Sequence, residues 1–381
     1  MITTRVQSFC YNLISRLRPK KKGASSVISQ LEGYPPPTKD TYTAITELSK
    51  VVKNNPDALE IYLALGNLYR AQGEIDRAIQ IRHNLIVRPS IQSEHKVKAL
   101  YELGLDYKRG GFLDRSQNTF EQARKLIGND PAIIQELAAL KAKSNDFEQA
   151  ADYYGILKKP IPQAHYLVRL SMELRQQGKQ KQSDHWLNKA LQIYPASIEA
   201  WLEQIIRTYE QSLWAQLERY FSKALKKIKP NLWFVLLEGL VQYLFKKKEN
   251  KEIFTPTLSK EAGQTLIRVL ENSPEDLLLY YYGAWIYLQI GERENAKLWL
   301  GKCLSFEGNF WPARMELLFL TLNELTLDPN LKGQLEFFLN RIRQIKKFIC
   351  TQCGLKREQI FFVCPRCRTW HSIAFIKTLE N

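Results

Sequence analysis

A short pattern of glycines returns along the middle of the chain at a nearly constant interval. Gly66 is followed seven residues later by Gly73, and the same pair recurs 38 residues further on as Gly104 and Gly111. The first glycine of such a pair lets the two helices of one repeat approach closely, while leucine and aromatic side chains fill the holes between repeats. A hairpin repeated at this interval must stack on its neighbours to bury its apolar face. The pattern therefore predicts an array of helical hairpins.

The residue types and their spacing are those of the tetratricopeptide repeat. Four copies in tandem are much harder to explain by chance than one copy. Degenerate copies follow at residues 201–230, at 233–274 with an insertion around 255–260, and at 280–303. Ahead of the first full copy, the second helix of one more is predicted from Ala44, Leu48, Val51 and Pro56. The four clearest copies contain Tyr62, Leu65, Gly66, Tyr69, Gly73 and Ala78; Leu103, Gly104, Tyr107, Gly111, Phe120 and Ala123; Leu137, Ala138, Ala150 and Tyr154; and Ser171, Leu174, Gly178, Ala190 and Pro195.

In such an array the first helix of each repeat lines a groove that holds segments of partner proteins. This groove is predicted to be basic, and its cationic and amide side chains would suit a peptide or tail that carries carboxylates. Exposed charges are also commonly just solvated, and that alternative stays open. The side chains predicted to face the groove are Asn67, Arg70, Tyr101, Lys108 and Arg175.

Four of the six cysteines lie in one stretch near the C-terminus, at residues 348–373. Cys350 and Cys353 form one CxxC pair, Cys364 and Cys367 form another, and ten residues separate the two pairs. Two thiolates at this spacing bind one ion from a tight turn, and two such turns complete a tetrahedral site. Disulfides are the alternative, but the chain has few other cysteines and no secretion signal, which favours a reducing compartment. The four cysteines are therefore predicted to hold one zinc or iron ion, two metals that the sequence does not distinguish.

The residues around these cysteines refine the prediction. Gly354 follows the first pair, where positive φ is favoured, whereas Arg368 takes this position after the second pair. Four sulfurs leave no open position for a substrate, so the centre is predicted to be structural or electron-carrying. His371 is predicted to be a surface residue rather than a ligand, Cys303 to lie in the core, and Cys10 to lie on a short N-terminal helix. The predicted fold class is an all-α tetratricopeptide superhelical solenoid followed by a small C-terminal zinc-ribbon or rubredoxin-like β module.

Residues 1–24 form a basic amphipathic segment that contains no acidic residue. Its apolar side chains recur on one helical face, and its cations suit the headgroups of anionic lipids. A targeting presequence and a helix packed on the first repeat are the alternatives. A proline-rich linker at 25–38 leads to repeats predicted at 39–347, and the metal module is predicted at 348–381. The residues predicted to contact a membrane surface are Phe9, Leu13, Leu17, Arg16, Arg18, Lys20, Lys21 and Lys22.

Charge and motifs limit the classes of function. The net charge of +16 over 381 residues indicates an anionic partner, such as nucleic acid, anionic lipid or an acidic protein. The sequence has no run of eighteen apolar residues, so no transmembrane helix is predicted. It has no phosphate-binding loop, no nucleophile elbow and no HExxH motif. These observations favour a protein that is not an enzyme and has no small-molecule substrate.

Three stretches give the chain a resemblance to a known family. They are LGNLYRAQGEIDRAIQIRHNLI at 65–86, LGLDYKRGGFLDRSQNTF at 103–120, and CxxCG with CPxCRxWxxI near the C-terminus. From about residue 42 to residue 376 the sequence resembles the lipopolysaccharide assembly protein B (LapB) family. The resemblance implies a repeat array facing the cytoplasm, with a rubredoxin-like metal domain packed on it and an N-terminal transmembrane helix in the inner membrane. The same four cysteines are the implied metal ligands.

The resemblance also implies a function. The implied function is that of an adaptor that sets lipopolysaccharide output. Such an adaptor controls how the membrane AAA+ protease FtsH degrades the lipid A pathway deacetylase. Other lipopolysaccharide assembly proteins are further expected partners. The spanning helix expected for the family is missing here, and the basic segment 1–24 stands in its place. The predicted location is therefore cytoplasmic, peripheral at the cytoplasmic face of the bacterial inner membrane.

Two other functions stay open at this point. An iron ion in the cysteine site would carry electrons, although no partner cofactor motif is present. The module would also bind nucleic acid if its cations contact phosphates. An adaptor function is favoured over this one. The cations available for phosphate contacts are Lys346, Lys347, Lys356, Arg357, Arg366 and Arg368.

Overall fold

The structure of the protein is a computed structural model that describes residues 39–54, 59–89, 91–246, 258–322, 328–343 and 345–378. The segment 1–24, the linker 25–38, Pro56 and the first half of the predicted insertion at 255–260 lie outside these residues. Cys10 and the eight side chains predicted to contact a membrane therefore lie outside them too. Contacts within the chain separate two compact units, Met1–Lys159 and Pro160–Asn381.

The described part of the first unit consists of helical hairpins. Its helices are α1 (Lys39–Asn54), α2 (Leu59–Gln72), α3 (Ile75–Ile86), α4 (Ser93–Arg109), α5 (Leu113–Ile127), α6 (Pro131–Lys143) and α7 (Phe147–Ile156). Helices α2 to α7 are the three hairpins that the sequence predicts, and α1 is the predicted additional helix ahead of them.

The glycines explain how the hairpins close. Gly104 on α4 faces the ring of Phe120 on α5, and a Cβ added to Gly104 would lie 2.6 Å from Phe120 Cε1. Gly73 and Gly111 adopt φ angles of 85° and 82° in the turns between paired helices. A residue without a Cβ meets both demands at low cost. The predicted close approach of the paired helices is confirmed, and the turn conformation of Gly73 and Gly111 is a finding of the structure.

The third hairpin keeps the same shape with other residues. Asn145 takes the turn position with a φ of 59°, which asparagine tolerates better than most residues. Asp130 and Asp146 cap α6 and α7, because their carboxylates accept hydrogen bonds from the backbone N–H groups of Ala132 and Gln149. The hairpin is therefore retained without its glycine signature.

The first hairpin contains a buried charge where the second contains a phenylalanine. Arg82 is fully buried opposite Gly66, in the place that Phe120 takes opposite Gly104. Its Nε lies 3.4 Å from a carboxylate oxygen of Asp106, which is also fully buried. A guanidinium group is kept out of water at acceptable cost only when carboxylates and other acceptors pair with it.

The described part of the second unit contains ten α-helices and three short strands. They are α8 (Pro160–Gln176), α9 (Gln180–Ile193), α10 (Ile198–Glu210), α11 (Trp214–Lys227), α12 (Trp233–Lys246), α13 (Lys260–Glu271), α14 (Leu277–Gln289), α15 (Arg293–Phe306), α16 (Trp311–Leu322), α17 (Pro329–Arg343), β1 (Phe348–Cys350), β2 (Lys356–Arg357) and β3 (Ile373–Phe375). Helices α8 to α15 form the predicted fourth repeat and the three degenerate ones. Gly178, Ser212 and Gly291 take turn positions with φ angles of 76°, 56° and 82°.

The strands form an antiparallel sheet in the order β2-β1-β3. Phe348 and Phe375 are paired across β1 and β3. The ring of Phe234 on α12 stacks on that of Phe348, with centroids 5.9 Å apart. Phe348, Ile373 and Phe375 belong to the same buried apolar cluster as residues of helices α10 to α16. The sheet and the last repeats therefore share one core.

The predicted fold class is confirmed, because hairpins of tetratricopeptide type are followed by a small cysteine-rich β module. The boundaries predicted at residues 24, 38 and 347 stay predictions. Cys303 is fully buried on α15, as predicted. None of the helices in the described ranges is long and apolar enough to cross a membrane.

Candidate metal centre and its contacts with the repeats

The two CxxC pairs form knuckles with the same backbone hydrogen bonds. In the first knuckle, Gly354 N donates to Cys350 O, and Cys350 N donates to Leu355 O, both at 2.9 Å. Arg368 and Cys364 donate the two equivalent bonds of the second knuckle, also at 2.9 Å. The two turns are therefore equivalent, and each brings a pair of cysteine side chains to the same point.

Arg368 stands where the first knuckle has a glycine. Its φ is 59°, close to the 70° of Gly354. A Cβ makes this left-handed conformation cost roughly 1–2 kcal/mol. The second knuckle keeps its shape despite this cost, so the missing glycine does not alter the site.

The four cysteine sulfurs lie within 4.8 Å of one another, and they are the one such group of three or more metal-ligating side chains among the described residues. The Sγ atoms of Cys350 and Cys367 are 3.6 Å apart, and so are those of Cys353 and Cys364. In a tetrahedral site with metal–sulfur distances of about 2.3 Å, the sulfurs would be about 3.8 Å apart. The residues present therefore fit a single zinc or iron ion.

Two hydroxyl groups lie against the sulfurs. Ser372 Oγ is 3.3 Å from Cys350 Sγ, and Thr369 Oγ1 is 3.4 Å from Cys367 Sγ. A hydroxyl that donates to a metal-bound thiolate stabilises its charge and orients it. Cys350 and Cys364 are buried and Cys367 is exposed, so the centre opens to solvent on the side of Cys367.

His371 is not the surface residue that the sequence predicts. Its side chain is only 8% exposed, and its Nε2 lies 3.6 Å from Oε2 of Glu199 on α10, an ion-pair distance rather than a hydrogen bond. Oε1 of the same carboxylate is 3.0 Å from Nδ1 of His165 on α8. The prediction is wrong because the residues that cover His371 come from distant repeats.

The two histidines govern the ionisation of Glu199. Burial alone would raise the pKa of this carboxyl group, but the interactions with His165 and His371 outweigh burial and lower the pKa to about 2. Glu199 is therefore ionised at neutral pH and attracts both imidazoles.

Trp370 makes the second contact between this knuckle and the repeats. Its ring centroid lies 4.9 Å from that of His165 and 6.3 Å from that of Tyr166, in edge-on arrangements. On the other side of the module, Trp311 Nε1 donates to Ile376 O at 3.0 Å. The sequence interpretation did not single out Trp370, His165 or Glu199, although the tryptophan lies within the resemblance motif CPxCRxWxxI.

The three cations predicted to face a partner groove are each paired with a carboxylate of the next repeat. Each cation lies four residues after the small residue in the first helix of its own repeat. Each carboxylate lies two residues before the position that corresponds to that small residue in the first helix of the next repeat. Such pairs tie neighbouring repeats together and offset the charge of the cation. A role in partner docking stays a prediction. The pairs are Arg70 with Glu102 at 2.7 Å, Lys108 with Glu136 at 2.5 Å, and Arg175 with Glu203 at 3.1 Å.

The other two predicted groove residues also have partners within the fold. Asn67 is buried, and its side-chain oxygen accepts hydrogen bonds from Arg70 and Arg82. The partly buried ring of Tyr101 packs on Phe120, with centroids 5.6 Å apart. The five residues thus belong to the contacts between helices.

Lys347 is unlike the other cations considered for phosphate contacts. It is partly buried, and the interactions with Tyr281, Glu238 and Glu316 outweigh burial and raise the pKa of Lys347. Lys347 is therefore less accessible to phosphate than the exposed cations. The other five cations are exposed: Lys346, Lys356, Arg357, Arg366 and Arg368.

Comparison with known proteins supports the resemblance noted in the sequence. A family model described as tetratricopeptide repeat matches residues 59–81 and 164–197. Lipopolysaccharide assembly protein B of Escherichia coli K12 is 22% identical over 87% of this chain and 84% of that protein. The protein of the same name from Haemophilus influenzae is 25% identical over 84% of this chain and 80% of that protein. Two segments of the chain thus match the tetratricopeptide repeat, and the chain is similar to lipopolysaccharide assembly protein B over most of its length.

Solved structures of tetratricopeptide proteins also match the chain. A tetratricopeptide repeat protein from Parabacteroides merdae is 19% identical, over 74% of this chain and 99% of that protein, with a TM-score of 0.33. The resemblance to the LapB family is confirmed by the two assembly proteins, which extend over most of both units. A tetratricopeptide array is a fold for protein–protein interaction.

Proposed function

We propose that the chain is a non-enzymatic adaptor that regulates lipopolysaccharide assembly. The finer mechanism that we propose is the delivery of the lipid A pathway deacetylase to an FtsH-type membrane protease. The observation that carries the proposal is the likeness to lipopolysaccharide assembly protein B over 87% of the chain. Tetratricopeptide repeats alone occur in proteins of many functions. A likeness that covers most of both chains limits the functions to be considered to those of the relatives.

The geometry is compatible with an adaptor. The metal module lies on first helices of the second unit, where His165 of α8 and Glu199 of α10 contact the second knuckle. Phe234 of α12 and Tyr281 of α14 contact the ring of Phe375. A metal ion bound by four cysteines supplies folding free energy to a module too small to fold unaided. The role that we assign to the metal is therefore structural.

The surface that would receive clients is part of the proposal. Clients are proposed to dock on the first helices of the repeats, at or near Asn67, Arg70, Tyr101, Lys108 and Arg175. Because the three cations are paired with carboxylates, a client would contact pairs rather than free charges. An acidic client segment would then have to compete with the resident carboxylates, which favours weak and reversible capture.

The proposed place of action is the cytoplasmic face of the bacterial inner membrane. Other lipopolysaccharide assembly proteins are further proposed partners there. Contact of residues 1–24 with anionic lipid would hold the adaptor near a membrane protease, and this contact is proposed from the sequence alone.

Affinity purification of the tagged full chain in a gentle detergent tests the proposal. The deacetylase and the protease should co-elute with the wild-type protein and with Cys303→Ser, which changes a buried cysteine outside the metal site. They should be reduced with the double variant Cys353→Ser and Cys364→Ser. Recovery of neither partner with the wild-type protein would contradict the proposed mechanism.

Binding of nucleic acid is a second candidate function. The observation in its favour is that residues 345–378 carry six exposed cations, which include Lys377, and a single acidic residue, Glu358. Such binding would weaken steeply with salt, because counterions are released when phosphates are neutralised. Recovery of nucleic acid in the same purification, lost at moderate salt, would favour this candidate over the adaptor.

A further inference from the structure

The metal module is attached to the repeats at two separate places. The first is apolar: Phe348 and Phe375 pack with Phe234, Tyr281 and Phe310 in the shared core. The second is the knuckle of residues 362–371, whose last two residues contact α8 and α10. The first attachment depends on burial of large aromatic side chains, which needs no metal.

The second attachment is built on a hairpin with few backbone hydrogen bonds, and Phe362 at its start packs against the shared core. Its backbone hydrogen bonds run within the hairpin, from Cys364 N to Thr369 O and from His371 N to Phe362 O. A single antiparallel β-bridge pairs Val363 with Trp370. The four cysteine sulfurs join this hairpin to the first knuckle, and a bound metal converts that contact into a cross-link.

The side chains held by the second knuckle cover part of two first helices. The ring of Trp370 lies against His165 and Tyr166, and His371 lies against Glu199. The exposed fraction of the side chain is 17% for His165 and 8% for Glu199. These positions, near the starts of α8 and α10, are therefore closed while the knuckle stays in place.

We propose that the metal centre gates this patch of the first-helix surface. With metal bound, the second knuckle holds Trp370 and His371 on α8 and α10. Without metal, the knuckle releases both side chains while β1 and β3 stay docked through their aromatic rings. The opened patch offers an aromatic side chain, Tyr166, and a buried carboxylate, Glu199, beside His165. It fits a protein segment that carries an aromatic residue next to a hydrogen-bond donor. Such a segment would replace Trp370 and His371, which occupy the patch while the knuckle is in place.

The test is residue-resolved chemical labelling of histidine in the purified full chain, before and after metal is removed with a chelator and a reductant. Labelling of His165 should rise several-fold, because loss of the Trp370 ring would uncover an imidazole whose side chain is only 17% exposed in the closed arrangement. Two histidines outside the patch are internal references: His185, which is exposed, and His83, which is bonded to Tyr107. Their labelling should not change.

A reference inside the second unit reports on its folding. Cys303 is fully buried in the core of the repeats, so it should stay protected from a thiol reagent when the metal is removed. Labelling of Cys303 together with His165 would show that the whole unit unfolds, which would overturn the gate. Continued protection of His165 in metal-free protein would overturn it as well.

A variant separates the contact from the metal. Trp370→Ala should keep one metal ion per chain but should leave His165 labelled without a chelator, to about the same extent as metal removal does. Trp186→Ala, which removes a tryptophan that contacts Lys189 and His185 on α9, is the matched control and should leave His165 protected. Protected His165 in Trp370→Ala would contradict the proposal. Every readout uses purified protein, so failure here leaves the proposed adaptor function unaffected.

Discussion

Glu199 on helix α10 faces His371 on the second cysteine knuckle, with 3.6 Å between carboxylate oxygen and imidazole nitrogen. The two residues belong to different parts of the fold, the repeats and the metal module. His165 lies on the other oxygen of the same carboxylate, at 3.0 Å. This carboxylate therefore links two repeats to the metal module.

Replacement of Glu199 by glutamine should lower the free energy of unfolding of the second unit by about 2 kcal/mol at neutral pH, because a buried hydrogen-bonded charge is lost. The pKa of Glu199 is lowered from its ordinary value of 4.5 to about 2. Its stabilising contribution is thus complete above about pH 4.5 and is lost as the pH falls towards 2. Thermal unfolding of the wild-type and variant proteins at a series of pH values measures this.

Effects that the two proteins share, including loss of metal in acid, cancel in the difference between their free energies of unfolding. We expect it to be largest at neutral pH and to disappear at the acid end. A difference that stays constant down to pH 2 would show that the carboxylate charge is not the source of the stabilisation.

The double variant Cys353→Ser and Cys364→Ser should lose its metal and become sensitive to protease within residues 358–372. This region has no strand of its own, so cleavage should begin there rather than in β1 or β3. Metal content by elemental analysis and limited proteolysis with mass spectrometry measure the two effects. Cys303→Ser is the control, and it should keep both metal and resistance. Stoichiometric metal in the double variant would show that these cysteines are not ligands.

Arg368→Gly should stabilise the second knuckle by about 1 kcal/mol, because glycine adopts the φ of 59° found here without the cost of a Cβ. Gly354→Ala should have the opposite effect in the first knuckle, where φ is 70°. The rate of metal transfer to a chromogenic chelator should fall in the first variant and rise in the second. Equal rates in all three proteins would mean that backbone strain does not limit metal release.

The sequence predicts the hairpins and the clustering of the four cysteines well, because both depend on short-range spacing. Gly73 and Gly111 mark turns, and two CxxC pairs define a tetrahedral site, so each signal is contained within a few residues. Arg82 is a different case. It is buried where the second hairpin has Phe120, and acceptors on other helices, the carboxylates of α4 and the side-chain oxygen of Asn67, make a buried arginine acceptable.

The contacts of the candidate site depend on residues far apart in the chain. His371 looks like a surface residue until Glu199 and His165 are placed beside it. The paired cations are an intermediate case. Lys108 and Arg175 recur at one point of the first helix, so their pairing with Glu136 and Glu203 follows from the repeat register, but only when acidic residues are tracked as well as cations.

Charge reversal of Lys108 and Arg175 to glutamate should destabilise each hairpin stack by about 1 kcal/mol, because a partly buried ion pair becomes a like-charge contact. Lys125→Glu is the matched control, because Lys125 is exposed on α5, the second helix of its repeat. This substitution should change the free energy of unfolding by less than about 0.5 kcal/mol. Urea denaturation measures both. If the reversed variants are as stable as the wild type, the inter-repeat pairs contribute nothing and the two cations are available to partners.

We propose that this chain is an adaptor for proteolysis in lipopolysaccharide assembly, and the half-life of the lipid A pathway deacetylase tests this claim most directly. After protein synthesis is blocked, the deacetylase should decay several times more slowly in cells that lack the chain. Normal decay should return with the wild-type protein or with Cys303→Ser, and it should not return with Cys353→Ser and Cys364→Ser. An unchanged half-life in cells that lack the chain would contradict the claim.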